Sequence, residues 1–385
     1  MRNAYVVVFL VCAMLLFGCG GGQPAPSVPE QPGMPSQPAA ETGPITIGFI
    51  GPLTGDAVSI GESTKASVEL AVADVNSAGG INGRELKVIY EDGTCGAEGA
   101  SKAGNKLINI DKVPVIIGGS CSSETLAVAP LAEAAKVVLF SDCSSNPGVR
   151  DAGDYVFRDY PSDDYQGKFA GEFAYKDLGS RKVAIVSCLS EWCMGMRDKF
   201  KEEYTALGGQ VVADESFEVA SSDLRTQLTK AKEAKPDLLY FVAYTPATIP
   251  GLKQAKELGL AVTIMGGDVW DDPQIYNETG QASEGIYFTK GYAPLTDAYK
   301  AAMTAKLGKE QITICAPQAY DAVHIVADVM KKVGTDPTAI KNELYNVQGY
   351  QGVSGPISFD EKGDLKDAAM QVMVVSGGKA VPYAP

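Results

Sequence analysis

Residues 113 to 147, "VPVIIGGSCSSETLAVAPLAEAAKVVLFSDCSSNP", carry the same arrangement twice: a short apolar, β-branched run and then a loop containing Cys-Ser-Ser. Between the two copies lies a segment of helical length, 123 to 135, in which Pro130 is expected to kink the helix or end it early. Two fully apolar strands separated by a helix describe parallel pairing with a crossover, because only a strand buried on both faces is apolar throughout. Reading outward, "ITIGFIG" (45–51) and "ELKVIYED" (85–92) are further strands. The segment between them places Val68, Ala71, Val72 and Val75 on one helical face before a Gly-Gly stop. Another helix is expected near 98 to 111.

The pattern then begins again. "KVAIVSC", "GQVVADESF", "DLLYFVAY" and "VTIMGG" alternate with helical segments near 193–207, 222–234 and 247–259. "GIYFTKGY" leads into two more helices, 296–306 and 316–333, and "GPISFDEKGDLKDAAMQVMVV" reads as a hairpin turning at Lys362 and Gly363. The fold class is α/β, two doubly wound parallel-sheet domains. A chain of 385 residues is long enough for two cores.

The first residues differ from the rest. Arg2, the apolar run "AYVVVFLVCAMLLF" and the small residues after it form a secretion signal, shorter than the ~20 residues of a spanning helix. Its end, "LLFGC", resembles the bacterial lipobox, so residues 1–18 are expected to be removed and Cys19 to carry lipid. Residues 19–44, rich in Gly, Pro, Ser, Gln and Ala, form a tether with nothing large to bury. The expected location is extracytoplasmic, periplasmic or at the cell surface, with the membrane touched only through the lipid. In that oxidising compartment Cys95, Cys121, Cys143, Cys188, Cys193 and Cys315 are expected to form disulfides, and six cysteines allow fifteen pairings.

Charge and composition exclude several functions. A net charge of -14 with no basic stretch argues against nucleic acid. The single histidine, His324, lies inside a helical run, and no Gly-x-Ser-x-Gly or phosphate loop is present, so no enzyme is expected. With one histidine and no Cys-x-x-Cys among the six, neither a metal site nor a cofactor is expected.

In open α/β sheets ligands bind beyond the carboxyl ends of the strands, where both Cys-Ser-Ser loops fall. The first loop also opens a helix, whose early amides lack intrahelical acceptors and whose dipole favours an anion. Ser122, Ser123, Ser144 and Ser145 add hydroxyls there. Serine caps many helices with no ligand in view. Two such loops on neighbouring strands point instead to a carboxylate-sized anion.

The combination of "IGFIGPLTGDAVSIGESTKASVELAVADVNSAGGINGRELKVIYEDG", "GSCSSET", "DLLYFVAYTP" and "GPISFDEKGDLK" resembles the type I periplasmic binding proteins of the branched-chain amino acid class, which feed ABC importers. The resemblance spans residues 45–375. It implies that Ser122 binds a ligand α-carboxylate, with Ser145 assisting and the Cys143 carbonyl accepting from the ammonium. It also implies that Tyr244 and Asp268 meet the ammonium from the second domain. Asp268 stands where the family has Glu, Trp192 where branched-chain binders have Tyr, and Ile60 where an aromatic often sits, so the ligand need not be Leu, Ile or Val. Trp270 is open to either lining or packing. The family pattern suggests Cys95 with Cys121. Cys188 and Cys193, five apart, can close a local ring, which leaves Cys143 with Cys315.

By the same resemblance, the first lobe comprises 45–158 and 292–354 and the second 162–288 and 357–385. Hinge crossings are expected near 158–162, 288–292 and 353–357. The expected protein is a monomer that closes on an amino acid and presents it to permease subunits. A ligand-sensing module of the same fold, binding an amide or an aromatic carboxylate, is the alternative, and the lipid tether favours transport.

Overall fold

The computed structural model describes residues 43–310 and 312–384. The signal, the tether and Cys19 lie outside the described residues. The first sheet is built from β1 (Ile45–Gly51), α1 (Val58–Ser77), β2 (Leu86–Asp92), α2 (Ala97–Asn105), β3 (Val115–Gly118), α3 (Ser122–Ala135), β4 (Val138–Ser141) and β5 (Val156–Arg158). Its order is β2-β1-β3-β4-β5, and every pairing is parallel. Both β3 and β4 are buried at every position, which accounts for their unbroken apolar runs. The helix between them runs on through Pro130 to Ala135, so the proline neither ends nor shortens it.

The second sheet follows with α4 (Asp163–Lys176), β6 (Lys182–Cys188), α5 (Glu191–Ala206), β7 (Gln210–Phe217), α6 (Arg225–Glu233), β8 (Leu238–Val242), α7 (Thr245–Glu257), β9 (Thr263–Gly266), α8 (Pro273–Thr279) and β10 (Tyr287–Gly291). The chain then returns to the first lobe as α9 (Asp297–Leu307), α10 (Ala316–Val333), α11 (Pro337–Leu344) and the short pair β11 (Tyr350–Gly352) and β12 (Gly355–Ile357). It finishes as β13 (Met370–Ser376) and β14 (Lys379–Pro382). The second sheet is ordered β14-β13-β10-β9-β8-β6-β7. Its last two strands are antiparallel, so this sheet is mixed rather than wholly parallel.

The third passage between lobes differs from the expected 353–357. Ile357, Phe359 and Leu365 belong to the first lobe's core, and the Phe359 ring lies 5.5 Å from those of both Phe140 and Phe157. The turn at Lys362 and Gly363 is present, closed by a bridge between Phe359 and Leu365. The hairpin that joins the second sheet, however, is β13–β14. The chain therefore crosses between Lys366 and Met370, and residues 357–365 stay with the first lobe. Burial of three large apolar side chains, at roughly 1.5–3 kcal/mol each, decides the assignment.

The main core of the second lobe continues across the cleft to Ala57, Ile60, Cys121, Cys143 and Cys315 of the first. Ser59 Oγ of the first lobe donates to Asp272 Oδ2 of the second at 3.2 Å, and Asn146 Nδ2 donates to the Glu191 carbonyl at 2.6 Å. The lobes thus meet along the carboxyl ends of both sheets.

Candidate functional site

β3 delivers its loop through Gly118, whose φ of +106° and closeness to the Ile50 carbonyl, 2.0 Å from where a Cβ would sit, leave room for glycine alone. The loop then enters α3. Glu124, fully buried in the first turn, accepts from the backbone N–H of Cys121 at 3.0 Å and of Cys95 at 2.9 Å. The Cys95–Cys121 disulfide closes the same corner, with a Cα–Cα distance of 5.2 Å. Burial pushes Glu124 up to about 8, against the pull of those two amides.

The loops after β3 and β4 are tied to each other. Ser144 Oγ bonds the Gly119 carbonyl at 2.6 Å and Thr125 Oγ1 at 2.7 Å. The Asn146 amide donates to Ser122 Oγ at 3.2 Å, which leaves the Ser122 hydroxyl hydrogen to donate elsewhere. Ser120 Oγ donates to Asp142, which burial pushes up to about 7.

Opposite these loops stand residues at the carboxyl ends of the second sheet. Ser190 caps α5, its hydroxyl accepting from Cys193 N at 3.2 Å, and the Cys188–Cys193 disulfide closes that turn. The cap sets Trp192 in the first turn of α5. The Trp192 ring lies 4.9 Å from that of Tyr244, the N-cap residue just before α7. Asp268, in the turn after β9, accepts from Tyr160 Oη at 2.6 Å and from the Val269 amide at 3.0 Å. It is buried, and burial raises it to about 6 despite both hydrogen bonds.

One cavity gathers these groups. Its volume is small, about 20 Å³. Ser122, Cys143 and Ser145 line one wall, Tyr244 and Asp268 the other, with Ile60 and Trp192 between. A wall of hydroxyls and first-turn amides facing a buried carboxylate can hold the two ends of a small dipolar molecule.

A family model described as periplasmic binding protein matches residues 44–379. The chain belongs to the periplasmic binding protein family. A Pseudomonas aeruginosa relative, the leucine-, isoleucine-, valine-, threonine- and alanine-binding protein, is 30% identical over 86% of this chain and 88% of its own. The solved leucine-binding protein LivK of Thermotoga maritima is 29% identical, with TM-score 0.83 over 88% of this chain and 98% of that one. A solute-binding protein of an ABC transporter from Rhodopseudomonas palustris, solved with 3,4-dihydroxybenzoic acid, is 25% identical, with TM-score 0.78 over 88% of this chain and 96% of that one. The family is one of binding proteins rather than enzymes.

In this periplasmic binding protein, seven of the nine ligand-site residues expected from the sequence line the cavity. Ser123 and Ser144 do not. Ser144 turns inward because the Gly119 carbonyl and Thr125 offer it partners, so it braces the loops while Ser122 and Ser145 line the cavity. Ser120, Cys121, Val269 and Ile314 line it unforeseen. Cys143 and Cys315 are bonded, with a Cα–Cα distance of 5.0 Å, which brings Ile314 to the cavity. Trp270 is fully buried away from it, edge-on to Phe241. Tyr160, which positions Asp268, had as its only sequence signal its place in the linking stretch "YVFRDYPSDD".

Proposed function

We propose that this protein is a lipid-anchored, extracytoplasmic substrate-binding protein that captures a small amino acid between its lobes and presents it to the permease subunits of an ABC importer, acting as a monomer. The observation that carries the reading is the buried Asp268 carboxylate facing Ser122 and Ser145 across one cavity. The ligand carboxylate would take the Ser122 and Ser145 hydroxyls and the first-turn amides of α3. The ammonium would lie between Asp268, Tyr244 and the Cys143 carbonyl. Ile60, Trp192, Val269 and Ile314 would border the side chain and suit an apolar one. The Pseudomonas relative's range, from leucine down to alanine, supports that character. The ligand would bind the first lobe in the open form, and the second lobe would complete the site with Tyr244 and Asp268 on hinge closure.

Anchoring rests on the lipobox-like "LLFGC". Cells grown with a radioactive fatty acid should yield labelled protein, and Cys19→Ser should abolish the label; a labelled C19S protein would reject the anchor.

A plain aromatic carboxylate is the second reading, favoured by the elevated pKa of Asp268 and by the Rhodopseudomonas relative. The two readings have opposite pH dependence. An ammonium favours the Asp268 carboxylate, so bound Asp268 titrates below its free value of about 6. Affinity for L-leucine or L-alanine, measured by calorimetry, should be level above that pH and fall toward tenfold per pH unit below it. Affinity for benzoate should instead rise as pH falls, because protonating Asp268 removes a like charge. Leucine affinity that did not fall below pH 6 would count against the amino acid reading.

A further inference from the structure

The first passage between the lobes, residues 159–162, runs from the end of β5 to the start of α4 and is bonded to both walls of the ligand cavity. Just before it, Arg158 Nη1 donates to the carbonyls of Ser144 and Asn146, on either side of Ser145. Just after it, the Asp163 amide donates to the Ser145 carbonyl at 2.7 Å. Between these points Tyr160, buried at 2% exposure, donates its hydroxyl to Asp268 Oδ2 at 2.6 Å. Gln166, one turn into α4, donates Nε2 to the Thr289 carbonyl at 2.9 Å and so fixes the same segment to β10, where the second passage begins. A few residues of chain thus join the hydroxyl wall of the site to its acid.

The hydroxyl meets Asp268 in a way that leaves the acid free to act. Oδ2 takes Tyr160 and Oδ1 takes the Val269 amide, and each oxygen keeps a lone pair for an ammonium. Burial raises Asp268 to about 6, and the Tyr160 hydroxyl is foremost among the hydrogen bonds that oppose the rise. The other titratable groups facing this pair are Asp163 of α4, Asp271, which is itself paired with Lys290, Tyr240 of β8 and Tyr244. The two acids disfavour a further negative charge, so the hydroxyl favours the Asp268 carboxylate against its surroundings.

We propose that Tyr160 is a positioning residue for amino acid capture, its hydroxyl reaching from the first passage to hold the Asp268 carboxylate toward the ligand's ammonium. The inference rests on the amino acid reading of the cavity. The bond also spans from the second lobe's acid to the segment about which the lobes move, so the group that meets the ammonium is fixed to the hinge itself.

The test is calorimetric titration of the full chain with L-leucine from about pH 5 to 8, using the parent, Tyr160→Phe, Asp268→Asn and the double variant. Tyr160→Phe keeps the buried ring and should unfold within a few degrees of the parent. At neutral pH its leucine affinity should be about tenfold weaker. The pH below which affinity falls should also lie above the parent's, because a carboxyl that loses a donor to its charged form takes up a proton more readily. In the Asp268→Asn background the same substitution should change leucine affinity by less than about threefold, since no charge is left for the hydroxyl to favour. If the parent binds no amino acid, or Asp268→Asn binds leucine as the parent does, the amino acid reading falls and this inference with it. If Asp268→Asn is weakened while Tyr160→Phe keeps the parent's affinity and pH profile, this inference alone is overturned. It is equally overturned if Tyr160→Phe loses affinity with an unmoved pH profile, or loses as much in the Asp268→Asn background, because Tyr160 would then be a structural residue only.

Discussion

Replacing Asp268 by asparagine should weaken binding of L-leucine or L-alanine about thirtyfold or more, and should leave binding of benzoate unchanged or strengthened. The substitution keeps the side chain's shape and an oxygen to accept from Tyr160 Oη, now at 2.6 Å, but removes the charge. What the amino acid complex loses is a buried, hydrogen-bonded ion pair. Truncating one partner of such a pair costs roughly 2–5 kcal/mol, and each 1.4 kcal/mol is tenfold in affinity. A plain carboxylate has no ammonium to leave unpaired, and the loss of a like charge across the cavity favours it. Calorimetry of both ligands against both proteins separates the two readings. Equal affinities of parent and D268N for leucine would remove Asp268 from the site, and with it the zwitterion reading.

The same residue marks how far the sequence could be read. Strand and helix alternation was legible because parallel strands buried on both faces leave unbroken apolar runs. The site's position followed from it, since the loops of interest close those runs at their carboxyl ends. The division of labour between Ser144 and Ser145 was not legible. It depends on the Gly119 carbonyl and Thr125, which become neighbours of Ser144 only when β3 and β4 pair. The third passage was misplaced for a related reason. "GPISFDEKGDLK" is a short strand and a turn that either lobe could hold, and its place is set by Phe359 wedging against Phe140 and Phe157, more than two hundred residues earlier in the chain. Tyr160 touches the cavity-lining Asp268, and Ile314 reaches the cavity beside the Cys143–Cys315 bond, through long-range contacts that no local spacing encodes.

Arg158 was not singled out by the sequence, yet replacing it should have the largest effect on stability. It ends β5, is 1% exposed, and forms a bidentate pair with Asp364, Nε to Oδ1 and Nη2 to Oδ2 each at 2.7 Å. Its Nη1 donates to the carbonyls of Ser144 and Asn146 at 3.1 and 3.0 Å. One guanidinium thus binds the turn before the third passage to the loop that carries Ser145. Arg158→Met keeps much of the volume but leaves Asp364 buried without its fork and two loop carbonyls without a donor. Removing one partner of a buried pair costs about 3–5 kcal/mol. The thermal midpoint should fall by several degrees, and ligand affinity should weaken in the folded fraction because the Ser145 loop loses its anchor. The double variant Arg158→Met with Asp364→Leu should recover much of the stability, since an apolar pair of similar volume often replaces a buried ion pair at little cost. It should not recover affinity, because the two carbonyls still lack their donor. Unfolding of R158M at the parent's temperature would show that the fork holds nothing together, and full recovery of affinity in the double variant would show that the loop does not depend on it.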